Sequence, residues 1–314
     1  MSPARWTLTL PARWDLRKVP EITAYFWILK VLTTAMGEAT SDYLAHHYNP
    51  YLVVPLGGVA LVLTLAWQLS TRRYITGVYW FAVVMVAIVG TMVADALHIQ
   101  FKVPYYQSSA FFAVTLTLIF AAWYRSERTL SIHSIYTRRR EMYYWATVLA
   151  TFALGTAAGD LTARTLGLGF FSAGILFAVV IAIPAIAHWR FGMNPILAFW
   201  FAYIVTRPLG ASFADWMGIS HTYGGLGLGY GTVSLFLTVL IVGFVAYLGA
   251  TGKDVEERAG AATRSGRHRQ QQPAPQRGRL QPAPLRVVNQ VEQPGPPEQD
   301  QQRGDYWRQR LDQW

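Results

Sequence analysis

The sequence has no cysteine and few charged residues. The absence of cysteine excludes disulfides, iron–sulfur clusters and thiol catalysis. Only 14% of the 314 residues are charged and 53% are hydrophobic, whereas soluble domains have about 25% charged residues. The charged fraction of residues 1–250 is lower still, because 11 of the 27 Lys and Arg follow Gly252. This composition excludes a soluble two-domain enzyme, a coiled coil and a mostly disordered protein. The absence of GxSxG, HExxH and Walker motifs argues against an enzyme.

Long apolar segments dominate the chain instead. A helix needs about 20 apolar residues to cross a bilayer. Eight segments approach or exceed this length: residues 22–44, 51–69, 76–97, 108–124, 142–163, 170–189, 195–217 and 226–248. No cleavable signal peptide is evident, because the segment before residue 22 is polar and the first apolar run is too long for one. We therefore predict an all-α polytopic membrane protein with eight transmembrane helices.

The basic residues predict the orientation of these spans. By position, 23 of the 27 Lys and Arg lie before the first span, after an even-numbered span or in the tail. Because loops rich in Lys and Arg stay in the cytoplasm, both termini should be cytoplasmic. The predicted division is an N-terminal segment (1–21), a first membrane half (22–124), a cytoplasmic loop (125–141), a second half (142–250) and a disordered tail (251–314). We attribute the net charge of +10 to topology and anionic lipid rather than to nucleic acid.

One pattern repeats in the four odd-numbered spans. Each has a Trp fifteen residues before an Asp and a Gly five residues before the same Asp. The Trp residues are Trp27, Trp80, Trp145 and Trp200; the Gly residues are Gly37, Gly90, Gly155 and Gly210; the Asp residues are Asp42, Asp95, Asp160 and Asp215. Each unit holds two spans, so the copies are parallel repeats. They predict pseudo-fourfold symmetry or two halves of four helices.

With these Trp–Gly–Asp frames the chain resembles a family of bacterial membrane-anchored proteins. Members of that family are built from four tandem copies of a two-helix repeat of unknown function, each with a marked Trp. The resemblance covers roughly residues 19–248. It implies a helical fold and, for a multi-pass protein, the bacterial inner membrane. It implies no catalytic or binding residue.

The repeated Gly and Trp residues predict packing and anchoring. A small residue follows each Gly by four positions, and this spacing lets helix backbones approach closely in lipid. We therefore expect the odd-numbered helices at the centre and the even-numbered helices outside. The Trp residues should act as interface anchors near the cytoplasmic surface, as in an aromatic belt.

The four Asp residues predict a cation site within the membrane. Fifteen residues of helix rise about 22 Å, so all four carboxylates should lie at one depth, short of the outer boundary. Counting Glu38, five acids face only Lys30 and Arg207 in the spans. A formal deficit of three positive charges predicts bound protons or metal ions. Alternatively, the Asp side chains reach an outer vestibule and merely end the helices.

Two histidines and a proline add to this prediction. His46 follows Asp42 by four residues and His98 follows Asp95 by three, a spacing that can chelate a divalent ion. Alternatively, His46 is simply a loop residue at the outer interface. Arg207 and Pro208 predict either a hinged span or a fixed ion pair with an acid of another span. Lys30 could extend toward the cytoplasmic face. No organic cofactor is predicted, only a possible bound divalent cation.

These features favour a transporter or exporter of a small cation, either a divalent metal ion or an ion coupled to protons. The alternative is a non-transporting membrane scaffold or assembly partner that uses the repeats for packing and the tail for contact. An intramembrane enzyme is a third class. The expected partners are the lipid bilayer and a small cation or proton; whether the chain also forms a homodimer is open.

Overall fold

The structure is a computed structural model that describes residues 17–255. Within this range the chain forms eight long helices and no strand. They are α1 (Ala24–His47), α2 (Pro50–Ser70), α3 (Thr76–Ile99), α4 (Tyr105–Glu127), α5 (Arg138–Asp160), α6 (Phe170–Phe191), α7 (Pro195–Gly218) and α8 (Tyr230–Thr251). Most of the predicted N-terminal segment and of the predicted disordered tail lies outside the described residues.

Seven of these helices are long and apolar enough to cross a membrane. The eighth, α1, does not meet that criterion by composition. It carries Lys30, Glu38 and Asp42 along its length, and these charges replace apolar residues. The number and length of the apolar helices indicate a multi-pass helical membrane protein.

The odd-numbered helices form the centre of the described bundle. Helix α1 contacts α3, α3 contacts α5, α5 contacts α7, and α7 contacts α1 again. Each even-numbered helix packs mainly on the odd helix that follows it in the chain, and α8 packs on α1. Between 61% and 67% of the apolar segments of α3, α5 and α7 is buried, against 17–22% in the even helices. The expected arrangement, odd helices inside and even helices outside, is therefore the observed one.

Neighbouring odd helices touch at the repeated Gly residues. A Cβ atom added at any of the four would clash with a residue of the adjacent odd helix. The contacting pairs are Gly37 with Ala87, Gly90 with Phe152, Gly155 with Arg207, and Gly210 with Thr34. Each partner lies eight residues before the repeated Asp of its own helix. One contact thus recurs four times and closes the ring of odd helices.

Aromatic side chains fill the end of the odd helices that carries the repeated Trp residues, which we call the Trp end. The aromatic residue before each Trp contacts the Trp of the next odd helix. The ring centroids are 5.9 Å apart for Phe26 and Trp80, 5.6 Å for Tyr79 and Trp145, 6.4 Å for Tyr144 and Trp200, and 5.7 Å for Phe199 and Trp27. Three of the Trp side chains are buried and Trp27 is half-buried. These rings therefore connect neighbouring helices. Interface anchors were expected at the surface, whereas neighbouring aromatic side chains cover these Trp rings.

Both ends of the described chain are tied to the Trp end. Lys18 Nζ donates a hydrogen bond of 2.6 Å to Glu141 Oε2 at the start of α5. Beyond α8, the buried Asp254 accepts hydrogen bonds from the hydroxyls of Tyr74 (2.6 Å) and Thr76 (2.9 Å). Burial and the Asp254 carboxylate raise the pKa of the Tyr74 hydroxyl well above its ordinary value. Tyr74 therefore stays protonated as the donor that holds Asp254.

Candidate functional site

Arg207 occupies the centre of the ring of odd helices. Its side chain is fully buried, and its guanidinium contacts each of the other three odd helices, α1, α3 and α5. It donates to Glu38 Oε2 (2.7 Å), to the hydroxyls of Thr156 (2.8 Å) and Thr91, and to the backbone carbonyls of Thr34 (2.6 Å) and Phe152 (3.3 Å). Arg207 therefore pairs with an acid of another span, as one of the two predictions had it, and that acid is Glu38.

Three carboxylates lie close together at the end of the odd helices that carries the repeated Asp residues, which we call the Asp end. Glu38, Asp42 and Asp215 each place a carboxylate oxygen within 4.8 Å of the others. Glu38 and Asp215 are buried, and Asp42 is half-buried. The buried Oδ1 atom of Asp215 has no hydrogen-bond partner in residues 17–255. Buried polar atoms normally have a partner, and either a proton shared with a neighbouring carboxylate or a bound cation would supply one here.

The other two repeated Asp residues lie outside this group. Asp95 accepts a hydrogen bond of 3.4 Å from the hydroxyl of Ser41. Asp160 pairs with Arg164, whose Nε lies 2.8 Å from Asp160 Oδ1. A π-helical turn, Leu161–Thr165, continues α5 and places Arg164 one turn beyond the Asp. The spacing of four residues between Asp160 and Arg164 is the sequence signal for this ion pair.

The two histidines of the predicted metal site are not part of the carboxylate group. His46 Nδ1 donates to the backbone carbonyl of Asp42 at 2.6 Å, one helical turn earlier. His98 Nδ1 donates to the carbonyl of Val103 at 3.0 Å, and its ring stacks on Tyr105 with centroids 3.7 Å apart. Both rings therefore form local contacts at helix ends. Of the seven residues predicted to bind a cation, the structure brings three together.

Lys30 and Pro208 also differ in part from the prediction. Lys30 is buried rather than extended toward the surface. Its Nζ lies 4.1 Å from the ring centre of Phe152 and 3.9 Å from that of Tyr203, and no carboxylate of residues 17–255 pairs with it. Pro208 lies inside a continuous α7. The proline removes one backbone donor, but the helix does not end there.

Charges at the centre remain unbalanced. The helices of the centre carry five acids and three basic residues, Arg207, Arg164 and Lys30. Because Arg164 adds one positive charge, the formal deficit is two positive charges instead of the three counted from the sequence. Because Arg207 pairs with Glu38 and Arg164 with Asp160, the acids that make no ion pair within residues 17–255 are Asp42, Asp95 and Asp215.

The sequence profile of one family matches this chain four times. The family is described as Repeat of Unknown Function (DUF347), and the matches cover residues 25–74, 78–129, 143–194 and 198–254. The chain belongs to this family. Each DUF347 repeat contains one odd helix and the even helix that follows it. The even helix then packs on the odd helix of the next repeat, so the four repeats interlock. Neither the curated proteins nor the solved structures gave a match.

The DUF347 repeats allow equivalent positions to be compared around the ring. Eight residues before the repeated Asp stand Thr34, Ala87, Phe152 and Arg207; four before it stand Glu38, Thr91, Thr156 and Ala211; four after it stand His46, Ile99, Arg164 and Ile219. The first two sets supply every contact of the Arg207 guanidinium. The repeats therefore share one backbone arrangement but place different chemical groups in it.

Proposed function

We propose that this chain is an eight-span membrane protein that binds a small cation at Glu38, Asp42 and Asp215 and transports it. The observation that carries the proposal is the set of three carboxylates within 4.8 Å, one of which has a buried oxygen without a partner. An ionised carboxylate inside a membrane usually marks an ion or proton path. We further propose pseudo-fourfold symmetry, with both termini in the cytoplasm of a bacterial cell.

The chemistry of the three ligands limits the cation. All are carboxylates, with no thiolate and no imidazole in the group. Oxygen ligands of this kind suit a proton or a hard ion such as Mg²⁺, Mn²⁺ or Ca²⁺ rather than Cu⁺ or Zn²⁺. The Arg207 guanidinium already contacts Oε2 of Glu38. A cation that uses this oxygen must therefore compete with the guanidinium.

The same competition supplies the moving part of a transport cycle. The Arg207 side chain fills the space between the four odd helices, and the aromatic rings of the Trp end fill the space beyond it. No cation can pass these layers in this arrangement. When a cation neutralises Glu38, the guanidinium loses its ionic partner, and its release would open the centre.

The test is cation flux into proteoliposomes that contain the full chain. The panel contains Mg²⁺, Mn²⁺, Ca²⁺ and Na⁺, each with and without a pH gradient. We expect flux of at least one cation in the wild type. In the double variant Asp42→Asn and Asp215→Asn we expect at least a tenfold lower flux, because amides do not bind hard cations as carboxylates do.

The matched control is Asp160→Asn, the same substitution at an equivalent position outside the carboxylate group. It should keep at least half of the wild-type flux, since Asp160 already pairs with Arg164. Equal flux in the wild type and in the folded double variant would contradict the assigned site. Equal losses in the double variant and in the control would indicate a general effect of charge.

The second candidate is a membrane scaffold or assembly partner that does not transport. It is favoured by the closed centre, where Arg207 of α7 is hydrogen-bonded to the other three odd helices and the Trp end is filled with aromatic rings. In that case the carboxylate group would bind a cation that only stabilises the bundle. Cation-dependent thermal stability without flux of any ion in the panel would support this candidate.

A further inference from the structure

A second set of buried polar groups lies on the Trp side of Arg207, apart from the three-carboxylate group. The hydroxyls of Tyr79 in α3 and Tyr144 in α5 share a hydrogen bond. The Tyr203 hydroxyl of α7 interacts with both of them, but it has no hydrogen-bond partner of normal geometry within residues 17–255. Lys30 Nζ of α1 lies 3.9 Å from the centre of the Tyr203 ring. Each odd helix thus contributes one polar group to this set, which we call the Tyr–Lys cluster.

Equivalent positions of the DUF347 repeats show that packing alone does not require these polar groups. Sixteen residues before the repeated Asp stand Phe26, Tyr79, Tyr144 and Phe199, and twelve before it stand Lys30, Val83, Val148 and Tyr203. All eight side chains are buried. Since Phe and Val fill half of these positions, the fold accepts apolar side chains there. A buried amine or hydroxyl without a partner is unfavourable, so packing does not account for the Tyr–Lys cluster.

One aromatic ring stands between the Tyr–Lys cluster and the charged centre. Lys30 Nζ lies 4.1 Å from the ring centre of Phe152, and Cζ of Arg207 lies 4.7 Å from the same ring centre. All three side chains are buried. The Phe152 ring therefore contacts the last polar group of the cluster and the first polar group of the centre.

Polar groups continue on the far side of this ring. The hydroxyls of Thr91 and Thr156 each donate a hydrogen bond of 3.1 Å to Glu38 Oε2, which belongs to the three-carboxylate group. Hydroxyl, amine and carboxyl groups thus follow one another from the Trp end to the Asp end and are interrupted by the Phe152 ring. Ionisable groups buried at membrane depth often mark a proton relay.

Such a series suits a proton, because a proton needs no cavity. A hydroxyl or an amine can accept a proton on one side while it releases another on the opposite side. Only O–H and N–H bonds form and break in each step, and nothing is oxidised or reduced. The closed centre, which stops a larger cation in this arrangement, therefore does not exclude proton transfer.

We propose that the Tyr–Lys cluster carries protons between the Trp end and the three-carboxylate group, with the Phe152 ring as a gate. The three Tyr hydroxyls pass a proton to Lys30, and a turn of the Phe152 ring lets the Lys30 amine reach the hydroxyls beside Glu38. The proposal rests on the proposed function only in taking the three-carboxylate group as the end of the path.

The test is proton entry into proteoliposomes that contain the full chain and a pH-sensitive dye. A potassium diffusion potential with valinomycin drives the protons, and no divalent ion is added. We expect faster acidification than in protein-free liposomes. In Tyr144→Phe the protein-dependent rate should fall at least fivefold, because the ring is kept and the hydroxyl is lost. The matched control is Tyr143→Phe, the same substitution at a ring that stacks on Trp123 outside the cluster, which should stay within twofold of the wild type.

Phe152→Ala tests the gate by a gain of activity. Removal of the ring should raise the protein-dependent rate at least threefold, and the further substitution Tyr144→Phe should cancel this gain. A gain that persists in the double variant would indicate a leak through a disturbed bundle and would overturn the proposal. An unchanged rate in Phe152→Ala would overturn the gate. Equal rates in the wild type and in Tyr144→Phe would overturn the path, provided that both proteins elute as folded species in gel filtration.

The two liposome experiments separate this proposal from the proposed function. Proton entry in the wild type without flux of Mg²⁺, Mn²⁺, Ca²⁺ or Na⁺ would contradict metal-ion transport and leave the proton path intact. Flux of one of these ions, with proton entry no faster than in protein-free liposomes, would overturn the proton path alone.

Discussion

The outer contacts of the odd helices and the centre of their ring are built in different ways. Around the ring, the same Gly contact and the same aromatic pair occur in all four repeats. At the centre, equivalent positions hold different residues: Arg207 stands where the other repeats have Thr34, Ala87 and Phe152. The repeated contacts can be explained by packing alone. Arg207 and Glu38 break the repetition with charged groups next to the repeated Asp residues, so the search for function belongs at the centre.

The repeated contacts and the charged centre also differ in how they contribute to stability. Gly contacts and aromatic pairs stabilise the bundle by close packing. The buried Arg207–Glu38 pair is weak evidence for stability, because desolvation of two charges offsets much of their attraction. Removal of one partner is nevertheless expensive, since the other charge then stays buried alone. The following substitutions test the contrast, beginning with the largest expected effect.

Arg207→Met should be the most damaging single substitution at the centre. It leaves Glu38 buried without its cation and removes the donor from two Thr hydroxyls and two backbone carbonyls. Loss of one member of a buried pair costs about 3–5 kcal/mol. The measurement is the free energy of unfolding in detergent micelles, followed by loss of helical circular dichroism.

The control is the double variant Arg207→Met and Glu38→Gln, which removes both charges. It should recover more than half of the loss, because no unpaired charge remains at the centre. If the double variant is as unstable as Arg207→Met alone, the hydrogen bonds to the other helices matter more than the ion pair. That outcome would assign Arg207 to the packing of the ring.

Gly37→Ala should have the next largest effect, and it tests the repeated contacts. A Cβ at this position would clash with Ala87 of α3, and overpacking in a tight contact costs about 1–3 kcal/mol. Gly58→Ala in α2 is the matched control, because a Cβ there meets no atom within 4 Å. In a helix that substitution should stabilise by up to about 1 kcal/mol. Opposite signs in unfolding experiments are expected; equal signs would contradict the role of the Gly contact.

Much of the fold follows from the sequence because the repeats are regular. Each Gly lies at a fixed distance from its Asp, so the touching faces of the odd helices can be predicted. Which helices pack on each other cannot be predicted in the same way. Consecutive helices of one repeat barely touch, since α2 packs on α3 rather than on α1. Pairing between repeats depends on the closure of the whole ring, and no local pattern encodes that closure.

The candidate site was only partly predictable for the same reason. Spacing placed Asp42, Asp95, Asp160 and Asp215 at one depth, and all four lie at the Asp end of their helices. Spacing alone could not show that Asp160 pairs with Arg164 whereas Asp95 makes no ion pair within residues 17–255. The residue four positions later in the chain makes this difference, because it is Arg164 in the third repeat and Ile99 in the second. In the first repeat the same position holds His46, which forms a local contact with the backbone carbonyl of Asp42.

Lys30→Met should have the smallest effect on stability, and it separates stability from function. Lys30 is buried on the Trp side of Arg207, where Phe152 and Tyr203 are its cationic contacts and no carboxylate balances it. Met fills similar space without a charge to desolvate. Since two cation–π contacts are lost at the same time, we expect a net gain in stability of at most about 1 kcal/mol.

If the buried charge of Lys30 is kept for function, cation flux should fall at least fivefold in Lys30→Met although the protein is no less stable. The comparison uses the proteoliposome flux experiment beside unfolding in micelles, with the exposed Lys102→Met as the control for loss of a positive charge. A more stable protein with normal flux would mean that Lys30 is dispensable for transport. A clear loss of stability would show that its contacts with the two rings outweigh the cost of burying its charge, and Lys30 would then belong with the packing residues of the ring.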